Sequence, residues 1–520
     1  MSNFRFAAAG IFLIFILSCS SSNGQDDQPK FWDGKNALLR GMSLGNGVWY
    51  LAESEDLQTE SDYAEMKSLG LNAVRFYLSY KFFENDNEEI TQYKQEGWDF
   101  LERNLEWARG KNIKLILNMH FPQGGFQSNG DGGELWTNVE NQNRLTALWY
   151  EIAKRYASDT TVAAYDLVNE PVIVGDKSVW QKLAQRLADT IRTVDVERLI
   201  LVERVNGFIK ENGELDYSSD AEKNFVFIND KKWGLTFHFY EPIEYTHQYA
   251  SWTGFANTDG GKYPDSTSLQ IYNAQWKGAT FNNPTIQSGD SDWKYYEGKW
   301  VNVGDSVNVG RPTLMCQNAG VGKVWFDSLV VEKKNEAGEI SVVATYDLPM
   351  TGDWYFWEDK AGGSAGADGE QILITGTISD ANYASSNMYF PFEKGYSYRA
   401  GGKMKGEGVP SGAACRIRLD FSFAEKTQVR DRKFLEDIID EYQKIATEKN
   451  LPIFMGEFGV IKFTFENDRG GLNWVADMLS ILKERGISFT YHAWYDDSFG
   501  VRDNAALKEE FGKKFRSRSP

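Results

Sequence analysis

The chain has 520 residues, of which 42% are hydrophobic and 14% aromatic, and its formal net charge is -18. This length allows large cores and more than one domain, while so acidic a chain repels phosphate backbones and excludes nucleic acid as a partner. Its 17 Trp and 25 Tyr leave rings free to stack on neutral sugars, although large cores also use aromatic residues.

The first 19 residues have the features of an export signal. Arg5 precedes an apolar run at 6–17 that is too short to span a membrane, and the sequence ILSC ends the run at Cys19. ILSC resembles the lipobox of bacterial lipoproteins, which implies that Cys19 is lipidated. A plain secretory signal with an incidental Cys is the alternative. Residues 20–30 predict a polar tether, so we expect a cell-envelope protein, in the outer membrane or periplasm, whose lipid anchor is its only membrane contact.

Two further cysteines, Cys316 and Cys415, remain after the signal. They either pair in an oxidising compartment or stay free, and the sequence leaves both outcomes open.

From residue 37 onward the sequence alternates between strand and helix patterns. Strands are predicted at 37–46, 71–78, 114–120, 162–168, 199–204, 234–240, 452–459 and 488–495, with helices at 60–69, 97–111, 139–156, 179–194, 429–450 and 472–485. Eight strands joined by helical crossovers predict an α/β fold, a closed (β/α)8 TIM barrel.

The alternation is interrupted after the sixth predicted strand. Residues 263–425 consist of short strand patterns separated by Gly, Asp, Asn and Pro turns, which predicts an all-β sandwich inserted after strand six. The expected organisation is therefore a signal at 1–19, a tether at 20–30, a barrel at 31–262 and 426–520, and the insert at 263–425.

The insert contains a segment, KVWFDSLVVEK at 323–333, that resembles the closing strand of jelly-roll carbohydrate-binding modules. The resemblance implies a sugar-binding role. Seven aromatic residues of the insert either form a stacking platform for sugar or fill the core and the domain interface: Trp293, Tyr295, Tyr296, Trp300, Trp354, Tyr355 and Trp357.

Two glutamates follow predicted buried strands. Glu170 lies in YDLVNEPV, after strand four, and Glu457 lies in FMGEFG, after strand seven. Taken alone, each is equally well a solvated loop residue. At the mouth of a closed barrel, however, the two strand ends face each other, and a pair of carboxylates is what cleavage of a glycosidic bond requires.

Other polar and aromatic residues also fall near the ends of predicted strands, namely Arg75, His120, His238, Tyr240 and Trp494. Together with Asn169-Glu170 and Glu457, they reproduce in order the pattern of the family 5 glycoside hydrolases, which are cellulase-like retaining enzymes. The chain resembles this family over about 31–262 and 426–520.

The resemblance implies a role for each matching residue. Glu170 is the expected acid/base, with a pKa raised by its partner's charge, and Glu457 the nucleophile. Arg75 and Tyr240 are expected to hold Glu457, and Asn169 to bind the sugar 2-hydroxyl. The remaining roles are also implied by the resemblance: His120 and His238 bind hydroxyls or tune the carboxylates, and Trp494 floors the subsite of the reacting ring.

Further aromatic residues near the strand ends are candidate outer sugar platforms: Trp49, Tyr50, Phe126, Trp136 and Trp252. Glu203 ends strand five, and we expect it to have a structural or substrate-contact role.

The sequence therefore predicts a monomeric, endo-acting, retaining hydrolase of β-linked polysaccharide, with β-1,4-glucan favoured and mannan or xyloglucan as alternatives. A non-catalytic glycan-binding protein on a barrel scaffold is the rival from another class. The scheme requires no metal and no cofactor.

Overall fold

The computed structural model describes residues 38–44, 50–85, 93–217, 224–272, 274–320, 322–346, 348, 354–358, 362–376, 382–386 and 389–516. The export signal, Cys19, the tether and Trp49 lie outside the described residues. Within them, no helix is both long enough and apolar enough to cross a membrane.

Eight parallel strands close into a barrel in chain order. They are β1 (Arg40–Ser43), β2 (Ala73–Ser79), β3 (Lys114–Phe121), β4 (Val162–Asp166), β5 (Leu199–Glu203), β6 (Trp233–Phe239), β7 (Ile453–Phe458) and β8 (Ser488–Tyr491). The predicted barrel is confirmed.

Helices cover the barrel, with short ones in the loops. They are α1 (Leu51–Leu57), α2 (Glu60–Ser68), α3 (Gln95–Gly110), α4 (Gly133–Thr137), α5 (Val139–Tyr156), α6 (Ser178–Arg192), α7 (Ile243–Thr246), α8 (Arg432–Lys449), α9 (Phe463–Glu466), α10 (Gly471–Arg485) and α11 (Ala505–Phe515), with a 3₁₀ turn at Tyr80–Phe82. Side chains cap the starts of α5 and α8, because Asn138 accepts from the backbone of Glu140 and Asp431 from that of Phe434. Gly486 ends α10 in the left-handed region, which glycine adopts without strain.

The barrel interior changes from apolar to polar along the strands. Ala73, Ile116, Ala164 and Leu201 belong to one small buried cluster near the start of the strands. Successive side chains on a strand alternate between faces, so the residues two positions later point into the same interior. These are Arg75, Asn118, Asp166 and Glu203, all buried. Charged groups therefore gather toward the carboxyl ends of the strands.

Strand β4 ends earlier than expected, at Asp166 rather than 168. The chain then runs through Asn169, whose backbone N–H bonds to the carbonyl of Met119 at the end of β3. After Pro171 it enters a short strand, Val172–Val174, which pairs with Gly207–Ile209; Leu215–Asp216 completes this small outer sheet. Glu170 thus lies on the connection between two sheets, and not on the barrel strand itself.

The insert is two packed antiparallel sheets. In pairing order, one contains Gln275–Ala279, Arg416–Phe423, Val309–Cys316, Asn382–Ser386 and Trp354–Glu358, with Phe390–Pro391 beside Val309–Cys316. The other contains Gly289–Glu297, Ser397–Val409, Lys323–Lys334, Gln371–Gly376 and Gly363–Asp368, with Val301–Asn302 and Ile340–Tyr346 on its inner strands. One core is shared between the sheets, with Leu314 and Leu419 from the first and Phe326 and Met404 from the second. The predicted inserted sandwich is confirmed.

Two features mark the insert's interior and its junction with the barrel. Cys316 and Cys415 are buried in the sandwich as free thiols. At the junction, Asp265–Tyr272 pairs with Lys426–Arg430 in an antiparallel ribbon. The ribbon brings the chain's exit from the barrel and its return side by side, so the sandwich needs no displacement of β6 or β7.

Candidate active site

Glu457 on β7 is surrounded by hydrogen-bond donors. Its Oε1 accepts from Arg75 Nη1 at 2.6 Å and from Tyr77 Oη at 2.7 Å, and its Oε2 accepts from Tyr240 Oη at 2.8 Å. Arg75 is fully buried and also donates through Nε to Asp166 at 2.8 Å. Both carboxylate oxygens of Glu457 are therefore held in fixed directions by two side chains of β2 and one from the loop after β6.

The charge state of Glu457 follows from these neighbours. Burial alone would raise its pKa, but the charges of His238, His492 and Arg75 outweigh burial and hold the pKa well below its usual range. Burial likewise opposes the charge on Arg75, and Asp166 and Glu457 reverse that effect and raise its pKa. Glu457 is thus an ionised carboxylate with restricted orientation.

Glu170 lies across the barrel mouth in a different setting. Its backbone φ is 42°, in the left-handed region that non-glycine residues adopt only under constraint. Its N–H donates to Glu203 Oε2 at 3.0 Å, and its Oε1 lies 2.7 Å from His238 Nδ1. The carboxyl of Glu170 is half-buried, whereas Glu457 is buried.

The expected raised pKa of Glu170 is corrected by this geometry. Burial raises its pKa, but the charge of His238 and its hydrogen bond outweigh burial, so the pKa lies below the usual value. Burial lowers the pKa of His238, yet Glu203, Glu457 and Glu170 raise it to about 9. Burial also raises the pKa of Glu203 to about 8. In the free protein at neutral pH His238 and Glu203 are therefore both protonated, and the proton nearest Glu170 Oε1 is on His238.

The two carboxylates are close enough to act on one bond. An oxygen of Glu170, an oxygen of Glu457 and a ring nitrogen of His238 all lie within 4.8 Å of one another. Glycoside-cleaving pairs with a covalent intermediate have carboxyl groups about 5 to 5.5 Å apart, against about 6.5 to 9.5 Å for pairs that leave room for a water. The spacing here matches the first arrangement.

These same atoms also form a possible metal-ligand set, but their bonds favour another use. The oxygens of Glu457 are occupied by Arg75, Tyr77 and Tyr240, and Oε1 of Glu170 faces His238. A cation would have to displace a guanidinium and an imidazole. The donor set is that of a hydrogen-bonded acid–base pair, and the expectation that the chemistry needs no metal stays a prediction.

Asn169 and His120 complete the base of the site. Asn169 Oδ1 accepts from Arg75 Nη2 at 2.9 Å, and its Nδ2 donates to Ser128 Oγ at 3.2 Å. His120 stacks on Tyr77 with ring centroids 3.8 Å apart, and burial lowers its pKa to about 3, so its ring is neutral. Both residues are buried, and their roles toward sugar stay predictions.

Trp494 is not at the site surface. It is fully buried, and its indole N–H donates to Asp62 Oδ1 at 2.9 Å behind the barrel wall. The expectation that Trp494 floors the reacting-ring subsite is wrong, because β8 ends at Tyr491 and the next residue, His492, faces the mouth instead. His492 Nδ1 lies 2.9 Å from Tyr77 Oη and 3.7 Å from Glu457 Oε2.

The described outer aromatic residues divide into exposed and buried. Trp252 is 58% exposed and packs one edge against Phe499, while Tyr50 is 66% exposed beside a cavity of about 320 Å³. Phe126 is half-buried against His120. Trp136 is buried, donates to Gln127 Oε1 and packs against a core tryptophan, so its expected platform role is wrong.

The aromatic residues of the insert also divide. Tyr296 is buried in the sandwich and Trp354 packs against its core, so these two serve packing. Tyr295 is 45% exposed, Trp293 is half-exposed, and Trp300 has Lys334 and Arg399 over its ring at 4.5 Å each. The side chains of Tyr355 and Trp357 lie outside the described part of the structure.

Four site residues were given no catalytic-site role from the sequence, or an undefined one: Tyr77, Asp166, Glu203 and His492. Strand alternation would have found Tyr77, which is two residues after Arg75 and shares its face. By the same rule Asp166, two residues after Ala164 on β4, points into the barrel interior. No local signal distinguished His492 from Trp494, because the end of β8 was placed too late.

A closed parallel barrel with paired carboxylates at the carboxyl ends of its strands is the architecture of a glycoside-cleaving enzyme. The family model described as cellulase, glycosyl hydrolase family 5, matches residues 32–306, slightly more than half of the chain. The chain belongs to this family, as its motifs indicated.

Curated relatives agree with this assignment. Endoglucanase C of Acetivibrio thermocellus is 31% identical over 209 residues, which are 40% of this chain and 57% of that protein. Cellodextrinase A of Ruminococcus flavefaciens is 25% identical over 45% of this chain and 68% of its own. A probable glucan 1,3-beta-glucosidase A of Aspergillus fumigatus is 22% identical over 62% of this chain and 74% of its own. The chain thus spans little more than half the length of Endoglucanase C.

Proposed function

We propose that the protein is a retaining hydrolase of β-linked polysaccharide that uses Glu457 as nucleophile and Glu170 as acid/base. The observation that carries the proposal is the short distance between two carboxylates in opposite settings. Glu457 is fixed by Arg75 and two phenols, while Glu170 faces a titratable histidine. A retaining mechanism needs this division of labour.

In the first step an oxygen of Glu457 attacks the anomeric carbon, and the bond to the leaving sugar oxygen breaks as Glu170 donates a proton to it. The product is a glycosyl ester on Glu457. Since the proton in the free protein is held by His238, 2.7 Å from Glu170 Oε1, its transfer along that hydrogen bond supplies Glu170 before the bond breaks.

In the second step Glu170 takes a proton from a water that attacks the same carbon and releases Glu457. Two inversions leave the β configuration unchanged. Proton NMR of the first product should therefore show the β anomer, and an α anomer appearing first would refute this mechanism.

We further propose endo-acting cleavage with β-1,4-glucan as the substrate. Endoglucanase C is named for endo cleavage of glucan and Cellodextrinase A for cellodextrins. The exposed Trp252 and Tyr50 offer rings on which a sugar chain can stack. Mannan and xyloglucan remain the alternatives. Product profiles across purified β-glucans, mannan and xyloglucan discriminate among them, and no cleavage of any would favour the glycan-binding alternative.

We propose that the insert binds sugar near Phe281. Phe281 is 46% exposed and Trp276 54%, with their centroids 6.4 Å apart, and a cavity of about 340 Å³ extends from Phe281 to Trp300. The Trp276→Ala, Phe281→Ala double variant should lose binding to insoluble cellulose while keeping activity on a soluble oligosaccharide. Val342→Ala, which shortens an exposed apolar side chain on the other sheet, is the control. Unchanged binding by the double variant would contradict the idea.

We propose a lipid-anchored monomer at the bacterial cell envelope. The support is the lipobox-like ILSC motif and the polar residues that follow it. Cys19→Ala should abolish metabolic labelling with a fatty acid and release the protein from membranes, and light scattering of the detergent-solubilised protein should give the mass of one chain.

A further inference from the structure

Glu203 is a buried carboxylate at the end of β5, only 1% exposed. Its Oε2 accepts the backbone N–H of Glu170 at 3.0 Å, and its Oε1 lies 3.4 Å from His238 Nε2. The indole of Trp180 donates to its backbone carbonyl at 2.8 Å and fixes the end of the strand. The side chain of Glu203 thus contacts the backbone of Glu170 and also Nε2 of His238, the histidine whose Nδ1 faces the Glu170 carboxylate.

Barrel packing does not account for this placement. A buried carboxylate is unfavourable unless its partners compensate it, and the cation Arg75 lies 3.9 Å away while it makes shorter bonds to Glu457 and Asp166. The contacts Glu203 does make are to the constrained backbone of Glu170 and to His238.

We propose that Glu203 is a positioning residue for the acid/base: it anchors the backbone of Glu170 and, through His238, sets the pH at which Glu170 loses its proton. The proposal rests on the proposed function and adds a third carboxylate to it. Glu203, His238 and Glu170 form a continuous row, with the imidazole between two carboxyl groups.

The charges around this row determine the direction of the effect. His238 is faced by Glu170, Glu203 and Glu457, and Glu203 is faced by Arg75, Asp166, Glu170 and His238. His120 and His492 lie on the Glu457 side of the mouth. Above its pKa of about 8 Glu203 is negatively charged. In that pH range Glu203→Gln takes one negative neighbour from His238 and Glu170, so both release protons at lower pH.

The test is the pH dependence of kcat/KM for cellopentaose in full-length protein. In Glu203→Gln the basic limb should move to lower pH by about one unit, the effect of one nearby charge. Glu203→Asp keeps the charge on a shorter side chain and should lower kcat while leaving the limb near its wild-type position. Glu197→Gln, an exposed glutamate just before β5, is the matched control and should change neither.

A second readout separates this role from packing. Hydrolysis of 2,4-dinitrophenyl β-cellobioside, whose leaving group needs no proton, should fall less in Glu203→Gln than hydrolysis of cellopentaose. A basic limb that coincides with wild type in the folded Glu203→Gln variant overturns the proposal.

Two outcomes would leave the kinetic test without a result, and nitrogen-15 NMR of the histidines is the measurement for both. The chain has only four histidines, so the His238 signal can be assigned. If wild type cleaves no glycan the proposed function fails, and if Glu203→Gln does not fold the kinetic comparison is lost. The wild-type titration then decides. A His238 imidazole still doubly protonated at pH 7.5 supports coupling through His238, and a neutral ring at that pH overturns it.

Discussion

The two sides of the barrel mouth hold their glutamates by different kinds of partner. On the β7 side, Glu457 is bonded by Arg75 and the phenols of Tyr77 and Tyr240, none of which changes charge near neutral pH. On the β4 side, Glu170 meets His238, a titratable ring whose pKa is raised to about 9 and whose Nδ1 lies 2.7 Å from the carboxylate. One carboxylate is locked in charge and direction, and the other can exchange a proton.

This difference assigns chemistry by environment and not by residue type. A nucleophile must stay ionised through the cycle, and permanent donors ensure that. An acid/base must gain and lose one proton in each turnover, which requires a neighbouring group that can itself give and take a proton. Two identical side chains thus serve opposite purposes.

Removing the locked carboxylate is expected to have the largest effect. Glu457→Gln should lower kcat by about 10⁴-fold or more on every substrate, because no covalent intermediate can form. Glu448→Gln, an exposed glutamate on α8, should leave kcat unchanged. Cleavage by Glu457→Gln at the wild-type rate would contradict the assignment of the β7 side.

Removing the proton-exchanging carboxylate is expected to have a substrate-dependent effect. Glu170→Gln should slow cellopentaose hydrolysis by about 10²- to 10⁴-fold, whereas 2,4-dinitrophenyl β-cellobioside, which needs no acid, should still form the glycosyl ester. A burst of dinitrophenol followed by a slow phase is the measurement. Equal losses of rate on both substrates would contradict the assignment of Glu170 as the acid/base.

Deleting a single neutral donor from the β7 side should have an intermediate effect. Tyr77→Phe and Tyr240→Phe each remove one hydrogen bond to a charged group, typically about 1.5 to 3 kcal/mol, so kcat/KM should fall about 10- to 100-fold. Because Arg75 remains, Glu457 should stay ionised and the acid limb of the pH profile should move little. A large shift of the acid limb to higher pH would instead show that the phenols, and not Arg75, keep Glu457 ionised.

The smallest expected effect is on stability. His238 has a folded pKa of about 9 against 6.5, so its stabilisation is present below pH 6.5 and is lost as the pH rises through 9. The melting temperature should fall by a few degrees over this window, and less in His238→Gln. His247, whose pKa burial lowers to about 4, is neutral throughout, so His247→Gln should keep the wild-type slope.

The sequence predicted the barrel because its signals are local and repeated. Buried strands such as 114–120 and amphipathic helices such as 139–156 recur in order, and parallel strands bring their carboxyl ends together. That rule alone was enough to link Glu170, Glu457, Arg75, His238 and Tyr240 to one mouth. The inserted sandwich was also visible, because glycine-rich turns replace the helical period.

What the sequence did not predict depends on side-chain direction and on charge at short range. Trp494 and His492 are two residues apart, and only the true end of β8 decides which one faces the mouth. The pKa of Glu170 depends on a 2.7 Å contact with His238. His238 is distant in sequence, and its own pKa is raised by Glu203, Glu457 and Glu170.

The junction ribbon formed by Asp265–Tyr272 and Lys426–Arg430 has a consequence for biosynthesis. The ribosome delivers β1 to β6, with Glu170, well before β7 and β8, and until then β1 and β6 are unpaired sheet edges prone to aberrant pairing. The sandwich is made during that interval, and its ribbon brings the two ends of a very long loop together. A completed insert therefore shortens the effective loop between β6 and β7 and helps these two strands to pair. A substitution that slows folding of the sandwich should then lower the yield of active barrel, even though it lies far from every catalytic group.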